Sequence, residues 1–119
     1  MNRIVPLLAA LLAVPAAAQV APPRELSLEH RMLLRCSAAF ALVANRQEAG
    51  DASVRQYPPL KQRGAEYFAR ASARVMDEAQ LDRAAITQAL EGEARALLQG
   101  GTLAAVMPAC LSALDAAGL

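Results

Sequence analysis

Four segments of the chain carry apolar residues at the spacing of an amphipathic helix. Between residues 27 and 119 the apolar positions recur three or four residues apart, and no segment alternates apolar and polar residues. The first spacing predicts helices, whereas alternation would predict strands. Helix-ending residues separate the segments at Gly50, Asp77–Leu81, Gly100-Gly101 and Gly118. We therefore predict an all-α fold, a small four-helix bundle that forms a single helical domain over residues 27–119.

The first helix is predicted to run from Leu28 to Ala49, with Ser27 as its N-cap and Gly50 ending it. Nearly every residue between Cys36 and Ala44 is apolar or small. A helix that is apolar all round is normally enclosed by other helices, so we expect this one to be central. Its buried stripe is predicted to contain Leu33, Cys36, Phe40 and Val43.

The second helix is predicted over Pro59–Asp77, after a loop from Gly50 to Pro58. Proline disfavours helical backbone in the residue before it but suits a first helical turn. Gly64 lies on the apolar face, where glycine costs helix propensity, and therefore indicates a close contact with another helix. The predicted face contains Leu60, Gly64, Tyr67, Phe68, Ala71 and Val75.

The last two helices have clear starting residues. Asp82 is the predicted N-cap of the third helix, and Leu81 is placed to pack on Ile86 as a hydrophobic staple. Thr102 is the predicted cap of the fourth helix, in which Pro108 either kinks the helix or restarts it. The predicted stripes contain Ile86, Leu90, Ala94, Leu97 and Leu98 in the third helix and Leu103, Val106, Met107, Cys110 and Leu114 in the fourth.

Residues 1–18 have the three parts of a secretory signal peptide. Arg3 is followed by the apolar run Ile4–Val14 and by the small residues Ala16-Ala17-Ala18, which predict cleavage before Gln19. The alternative is an uncleaved membrane anchor. Two prolines interrupt the apolar stretch, which is shorter than the roughly 20 residues of a spanning helix. We predict export to the periplasm or secretion, with no stable membrane span after cleavage.

Cys36 and Cys110 are the two cysteines of the chain. An oxidising compartment favours a disulfide in a small domain, and two cysteines allow one intramolecular pairing. Both cysteines lie on predicted apolar stripes, so packing the first helix against the fourth brings them together. The alternative is a pair of reduced, buried thiols that act as small apolar side chains.

The charges of the chain almost balance. Without Arg3 the chain has eleven basic and eleven acidic side chains, and nucleic-acid binders usually have a basic excess, so we expect no nucleic-acid partner.

Two further segments of the chain remain. Residues 19–26 are predicted to form an extended lead-in. A basic, proline-stiffened loop could bind an acidic partner or an anionic headgroup, the alternative being solvated charges. The residues of this possible partner-binding loop are Arg55, Tyr57, Lys61 and Arg63.

No group of residues predicts catalysis, a bound metal or a cofactor. His30 has no acid or cysteine three or four residues away, so we expect a solvated side chain. Glu91 and Glu93 are two residues apart and should point in different directions on a helix. An alternative is non-covalent haem held by His30 and Met107. Residues at steps of four predict a solvated, salt-bridged stripe that contains Glu66, Arg70, Arg74 and Glu78.

Two kinds of resemblance to known proteins are present. Residues 26–31, Leu-Ser-Leu-Glu-His-Arg, resemble the Leu-Thr-x-x-Gln element of periplasmic stress chaperones, although His30 stands at the position of the glutamine. The plan of a small exported all-α chain with one disulfide also resembles acid-activated periplasmic chaperones. The chain as a whole, with Arg35–Ala41 and Met107–Leu111, resembles small exported all-α bacterial proteins of an uncharacterised family.

These observations lead to three hypotheses for the function. The first is a non-enzymatic periplasmic interaction protein with a stress-related or client-binding role, which has an as yet unidentified protein partner. The alternative is a ligand- or haem-binding helical bundle. The third is an enzyme, for which the sequence offers no catalytic residue.

Overall fold

The structure, a computed structural model, describes residues 25–119 and, before them, Ala13 alone. The predicted signal peptide with its cleavage before Gln19, and most of the extended lead-in, lie outside the described residues. Over residues 25–119 the chain forms four α-helices, one short 3-10 helix and no strand, which confirms the all-α prediction. The helices are α1 (Leu28–Glu48), α2 (Lys61–Ala79), α3 (Arg83–Leu97) and α4 (Thr102–Ala116), and the 3-10 helix spans Ala52–Val54.

Side-chain hydrogen bonds cap the starts of α1 and α3. The Ser27 hydroxyl accepts a bond from the His30 N–H at 3.0 Å, and the Asp82 carboxylate accepts one from the Ala85 N–H at 2.8 Å. Both predicted caps are thus confirmed, since each satisfies an N–H that the first helical turn leaves without a partner. The prediction of Thr102 as a cap is wrong. Gly101, with φ of 76°, takes the cap position, because its left-handed backbone lets the chain enter α4 directly.

Helix α1 is the central element, as predicted. It contacts α2, α3, α4 and the 3-10 helix, and the side chains of Phe40 and Val43 are completely buried. Cys36 is buried as predicted too. At the start of the predicted stripe, however, Leu33 is only partly buried and its neighbour Leu34 is fully buried instead. A second, smaller apolar cluster, on which Leu81 packs, contains Leu34, Val75, Ala79 and Ile86. The predicted staple between Leu81 and Ile86 belongs to this cluster.

Helices α1 and α2 approach each other closely at Gly64. A Cβ atom added to Gly64 would lie 2.9 Å from the Cβ of Phe40, which is inside van der Waals contact. The ring of Phe40 also packs edge-on against that of Tyr67, with ring centres 5.2 Å apart and an angle of 86°. The close helix contact that the sequence predicts at Gly64 is therefore confirmed, with Phe40 as its partner.

A disulfide between Cys36 and Cys110 joins α1 to α4, as predicted. The two Cα atoms are 5.1 Å apart, and the bridge spans a sequence separation of 74 residues. Both cysteines are buried in the main apolar cluster with Phe40 and Met107. Helix α4 is continuous through Pro108, so it does not restart there. Among the described residues, no helix is both long enough and apolar enough to cross a membrane.

Candidate functional site

The structure divides the four residues of the predicted partner-binding loop. Arg55 and Tyr57 line a cavity of about 380 Å³ at one end of the bundle, which we call the end cavity. Lys61 instead forms an ion pair with Glu48. The Arg63 guanidinium donates to the Asp115 carboxylate at 2.9 Å and to the Leu119 carbonyl at 2.6 Å. Two of the three charged side chains are thus engaged by other elements, and the end cavity retains Arg55 and Tyr57.

The Gln47 side chain fixes one wall of the end cavity. Its amide donates to the Pro58 carbonyl at 2.9 Å and to the Tyr57 carbonyl at 3.4 Å, and its oxygen accepts from the Leu60 N–H at 3.1 Å. These bonds hold the chain from Tyr57 to Leu60 outside the helix. They give the physical reason why α2 begins at Lys61, two residues later than predicted.

Two opposite charges line the end cavity. The Asp51 carboxylate accepts a hydrogen bond from the Ser53 N–H at 2.9 Å, and hydrogen bonding to Ser53 lowers the pKa of Asp51 below its ordinary value. Arg46 contributes to the same lowering through its charge. Within the described part of the chain, Arg55 has no carboxylate within 4.0 Å. Asp51 and Arg55 therefore share a cavity wall without pairing with each other.

A second surface lies where α1, α2 and α3 meet. It consists of a cavity of about 270 Å³ and a neighbouring one of about 220 Å³, which share Ala41 and Phe68. We call the two together the apolar groove. Its apolar lining contains Ala38, Ala41, Leu42, Ala44, Ala65, Phe68, Leu90 and Ala94. The expectation that other helices enclose α1 is therefore wrong on this side, because α2 and α3 leave Ala41 exposed to solvent.

The apolar groove has few charged groups at its edges. Lys61 lies at one edge and is already paired with Glu48, while Glu91 lies at another and is exposed. Among the described residues, no basic side chain approaches Glu91 within 4.0 Å. Glu93, two residues on, turns instead to Arg35 of α1 at 2.9 Å, so the two carboxylates point apart as predicted. An apolar surface with one free carboxylate suits an apolar partner that carries a positive charge.

The expectation of a solvated His30 is wrong. Its side chain is only 14% exposed, and its Nε2 lies 2.7 Å from the Glu78 carboxylate at the end of α2. The Arg74 guanidinium bonds both Glu78 and Glu29, at 2.8 and 2.7 Å. Hydrogen bonds from Arg74 and then from His30 lower the pKa of Glu78. These four side chains connect the start of α1 to the last turns of α2. The sequence does not reveal this contact, because His30 and Glu78 are 48 positions apart.

The predicted salt-bridged stripe on α2 is present, and it extends to α1. Arg70 pairs with Glu66 and Arg74 pairs with Glu78, each four residues apart, and both pairs are exposed. Such pairs contribute little stability in solvent.

The two ligands of the haem alternative, His30 and Met107, are both engaged elsewhere. Met107 is fully buried in the same apolar cluster as the disulfide, and the Nε2 of His30 contacts Glu78. Among the described residues, no cluster of His, Cys, Asp or Glu side chains has the form of a metal site.

Comparisons of the chain with protein-family models, with curated proteins and with solved structures find no match. The fold and the two surfaces define a disulfide-bonded four-helix protein with an open apolar groove and a separate end cavity. The resemblance to periplasmic chaperones therefore stays a prediction based on residues 26–31 and on the plan of the chain.

Proposed function

We propose that this protein is a non-enzymatic interaction protein that binds an amphipathic helix of a partner protein in the apolar groove. The exposed alanine at position 41, on the otherwise central helix α1, is the observation that carries this proposal. Small side chains on the floor of a groove let another helix approach closely, and apolar walls bury its apolar face. Phe68 and Leu90, both partly buried, provide these walls.

The charge at the edge of the groove specifies the partner further. Glu91 has no basic partner among the described residues, so a bound helix with a Lys or Arg beside its apolar face would gain an ion pair. Amphipathic segments of this kind become exposed when helical proteins unfold. A client-binding role under envelope stress is therefore the form of interaction that we favour, in accordance with the resemblance of residues 26–31.

The proposed compartment is the periplasm or the exterior of the cell. The disulfide supports this, since such bonds persist mainly in oxidising compartments. The three-part segment before Gln19 supports it independently. We expect protein from the periplasmic fraction or the medium to have the intact mass of residues 19–119 with one disulfide. A full-length mass there, or retention of the chain in the cytoplasm, would contradict the proposal.

A defined peptide tests the use of the groove. The probe is a fluorescein-labelled amphipathic helical peptide with leucine on one face and lysine beside it, and binding is measured by fluorescence anisotropy at pH 7. Replacing Ala41 by Arg should weaken binding about 10-fold or more, because a charged side chain then occupies the apolar floor. The control is Ala73→Arg, since Ala73 is also exposed but lies on α2 outside the groove.

The edge charge gives a second, independent readout. Glu91→Lys should reduce the affinity for the lysine-flanked peptide and improve that for a matched glutamate-flanked peptide, because the sign of the edge charge is reversed. Circular dichroism should show equal helicity and similar melting for all three variants. Absence of peptide binding, or equal effects of Ala41→Arg and Ala73→Arg, would refute the proposal.

A further inference from the structure

The end cavity is a separate site from the apolar groove, and no residue lines both. Its volume of about 380 Å³ falls in the range of small-molecule sites, about 300–1,000 Å³. The residues that line it include an acid, a base and an aromatic residue, Asp51, Arg55 and Tyr57. Sites of this kind hold a ligand on an apolar surface and orient it with a few polar groups.

The two charges in the end cavity do not pair with each other. Asp51 and Arg55 flank the 3-10 helix Ala52–Val54, and no atom pair between their charged groups is within 4.0 Å. The Asp51 carboxylate accepts a hydrogen bond from the Ser53 N–H at 2.9 Å, which orients it within the cavity wall. A cavity with one anion and one cation that do not neutralise each other is complementary to a molecule that carries both charges.

We propose that the end cavity binds a small zwitterion of the α-amino acid class, with its ammonium group at Asp51 and its carboxylate at Arg55. The planar guanidinium of Arg55 suits a carboxylate, which it can bind through two parallel hydrogen bonds. Tyr57 and Pro59 offer an aromatic and an aliphatic surface to the side chain of the ligand. An amino acid with an apolar or aromatic side chain therefore fits better than a polar one.

The frame of the end cavity is held in place before any ligand binds. Gln47 fixes the backbone of Tyr57 and Pro58 through its amide, and Val54 is 2% exposed and belongs to the main apolar cluster. A wall that is already ordered loses little conformational entropy on binding, which favours affinity. Arg55 is exposed and has no ion-pair partner among residues 25–119, so it can close on the carboxylate.

Isothermal titration calorimetry with L-phenylalanine and two derivatives tests the proposal. N-acetyl-L-phenylalanine lacks the positive charge, and L-phenylalanine methyl ester lacks the negative one. We expect the free amino acid to bind with a dissociation constant below about 1 mM. Each derivative should bind about 10-fold more weakly or worse, since each loses one charge-assisted hydrogen bond.

Two variants should each remove one of the two charge contacts, so each should weaken the binding of the free amino acid but not that of the derivative that already lacks the corresponding charge. Asp51→Asn keeps a residue that can act as an N-cap and so preserves the loop. It should weaken the binding of L-phenylalanine about 10-fold without further weakening the binding of the N-acetyl derivative. Arg55→Gln should likewise weaken the binding of L-phenylalanine without further weakening the binding of the methyl ester. Ala41→Arg, in the apolar groove, should leave all three affinities unchanged, which separates this site from the proposed interaction function.

Three results would overturn the zwitterion site. The first is no heat of binding for L-phenylalanine or L-leucine up to about 10 mM. The second is equal affinity for the free amino acid and either derivative, which would indicate a site for a single charge. The third is binding that neither Asp51→Asn nor Arg55→Gln changes, which would place the ligand elsewhere.

Discussion

Reduction of the Cys36–Cys110 disulfide is expected to lower the melting temperature by roughly 12–30 °C. The bridge spans 74 residues, and closing a loop of this length restricts the unfolded chain by an amount worth about 3–4 kcal/mol. In a domain of this size each kcal/mol corresponds to roughly 4–8 °C. Circular dichroism melting with and without reductant, at one protein concentration, gives the shift.

Matched cysteine variants separate the bridge from the packing of its side chains. Cys36→Ala with Cys110→Ala keeps the buried positions apolar and should melt near the reduced protein. The corresponding double serine variant should melt at an equal or lower temperature, because it places two hydroxyl groups in the main apolar cluster. Reductant should have no effect on either variant. A wild-type melting temperature that is indifferent to reductant would show that the disulfide does not stabilise the fold.

Gly64→Ala is expected to destabilise the protein by about 1–2 kcal/mol. The new Cβ would lie 2.9 Å from the Cβ of Phe40, an atom next to the α1 backbone that cannot rotate away. Overpacking of this kind costs about 1–3 kcal/mol, which the better helix propensity of alanine, about 1 kcal/mol, offsets only in part. Urea unfolding followed by circular dichroism gives the free energy of unfolding.

Gly92→Ala is the matched control for that substitution. Gly92 also lies within a helix, but a Cβ there would meet only the Arg95 guanidinium, at 3.9 Å. The gain in helix propensity should then appear without a clash, as a stabilisation of up to about 1 kcal/mol. If Gly64→Ala were also stabilising, α1 and α2 would not approach each other as closely at this point as the structure shows.

The apolar pattern predicted the parts of the fold that depend on neighbouring residues. The caps at Ser27 and Asp82 were predictable because each side chain bonds an N–H three residues away. The close contact at Gly64 was predictable because glycine on an apolar helical face has little other physical reason to occur. Its partner Phe40 was not, since the sequence does not give the distance between two stripes.

The candidate sites depended much more on the tertiary structure. The sequence identified Arg55 and Tyr57, which lie together at the end cavity, but it also grouped them with Lys61 and Arg63. The acids that engage those two, Glu48 and Asp115, belong to other helices, so spacing along one segment could not reveal them. Asp51 was missed for a different reason. It lies only four residues before Arg55, but the sequence did not predict the 3-10 helix Ala52–Val54 between them, which brings both to one cavity.

The exposure of Ala41 shows most clearly where sequence reasoning ends. Periodicity along α1 reports which side chains are apolar, and it correctly placed this helix at the centre of an all-α, disulfide-bonded domain. Periodicity does not report how many neighbouring helices cover each side. That was decided by the packing of α2 and α3, which leaves Ala41 on one apolar side of α1 open to solvent. Burial is a property of packed helices, so the groove exists only in the tertiary structure.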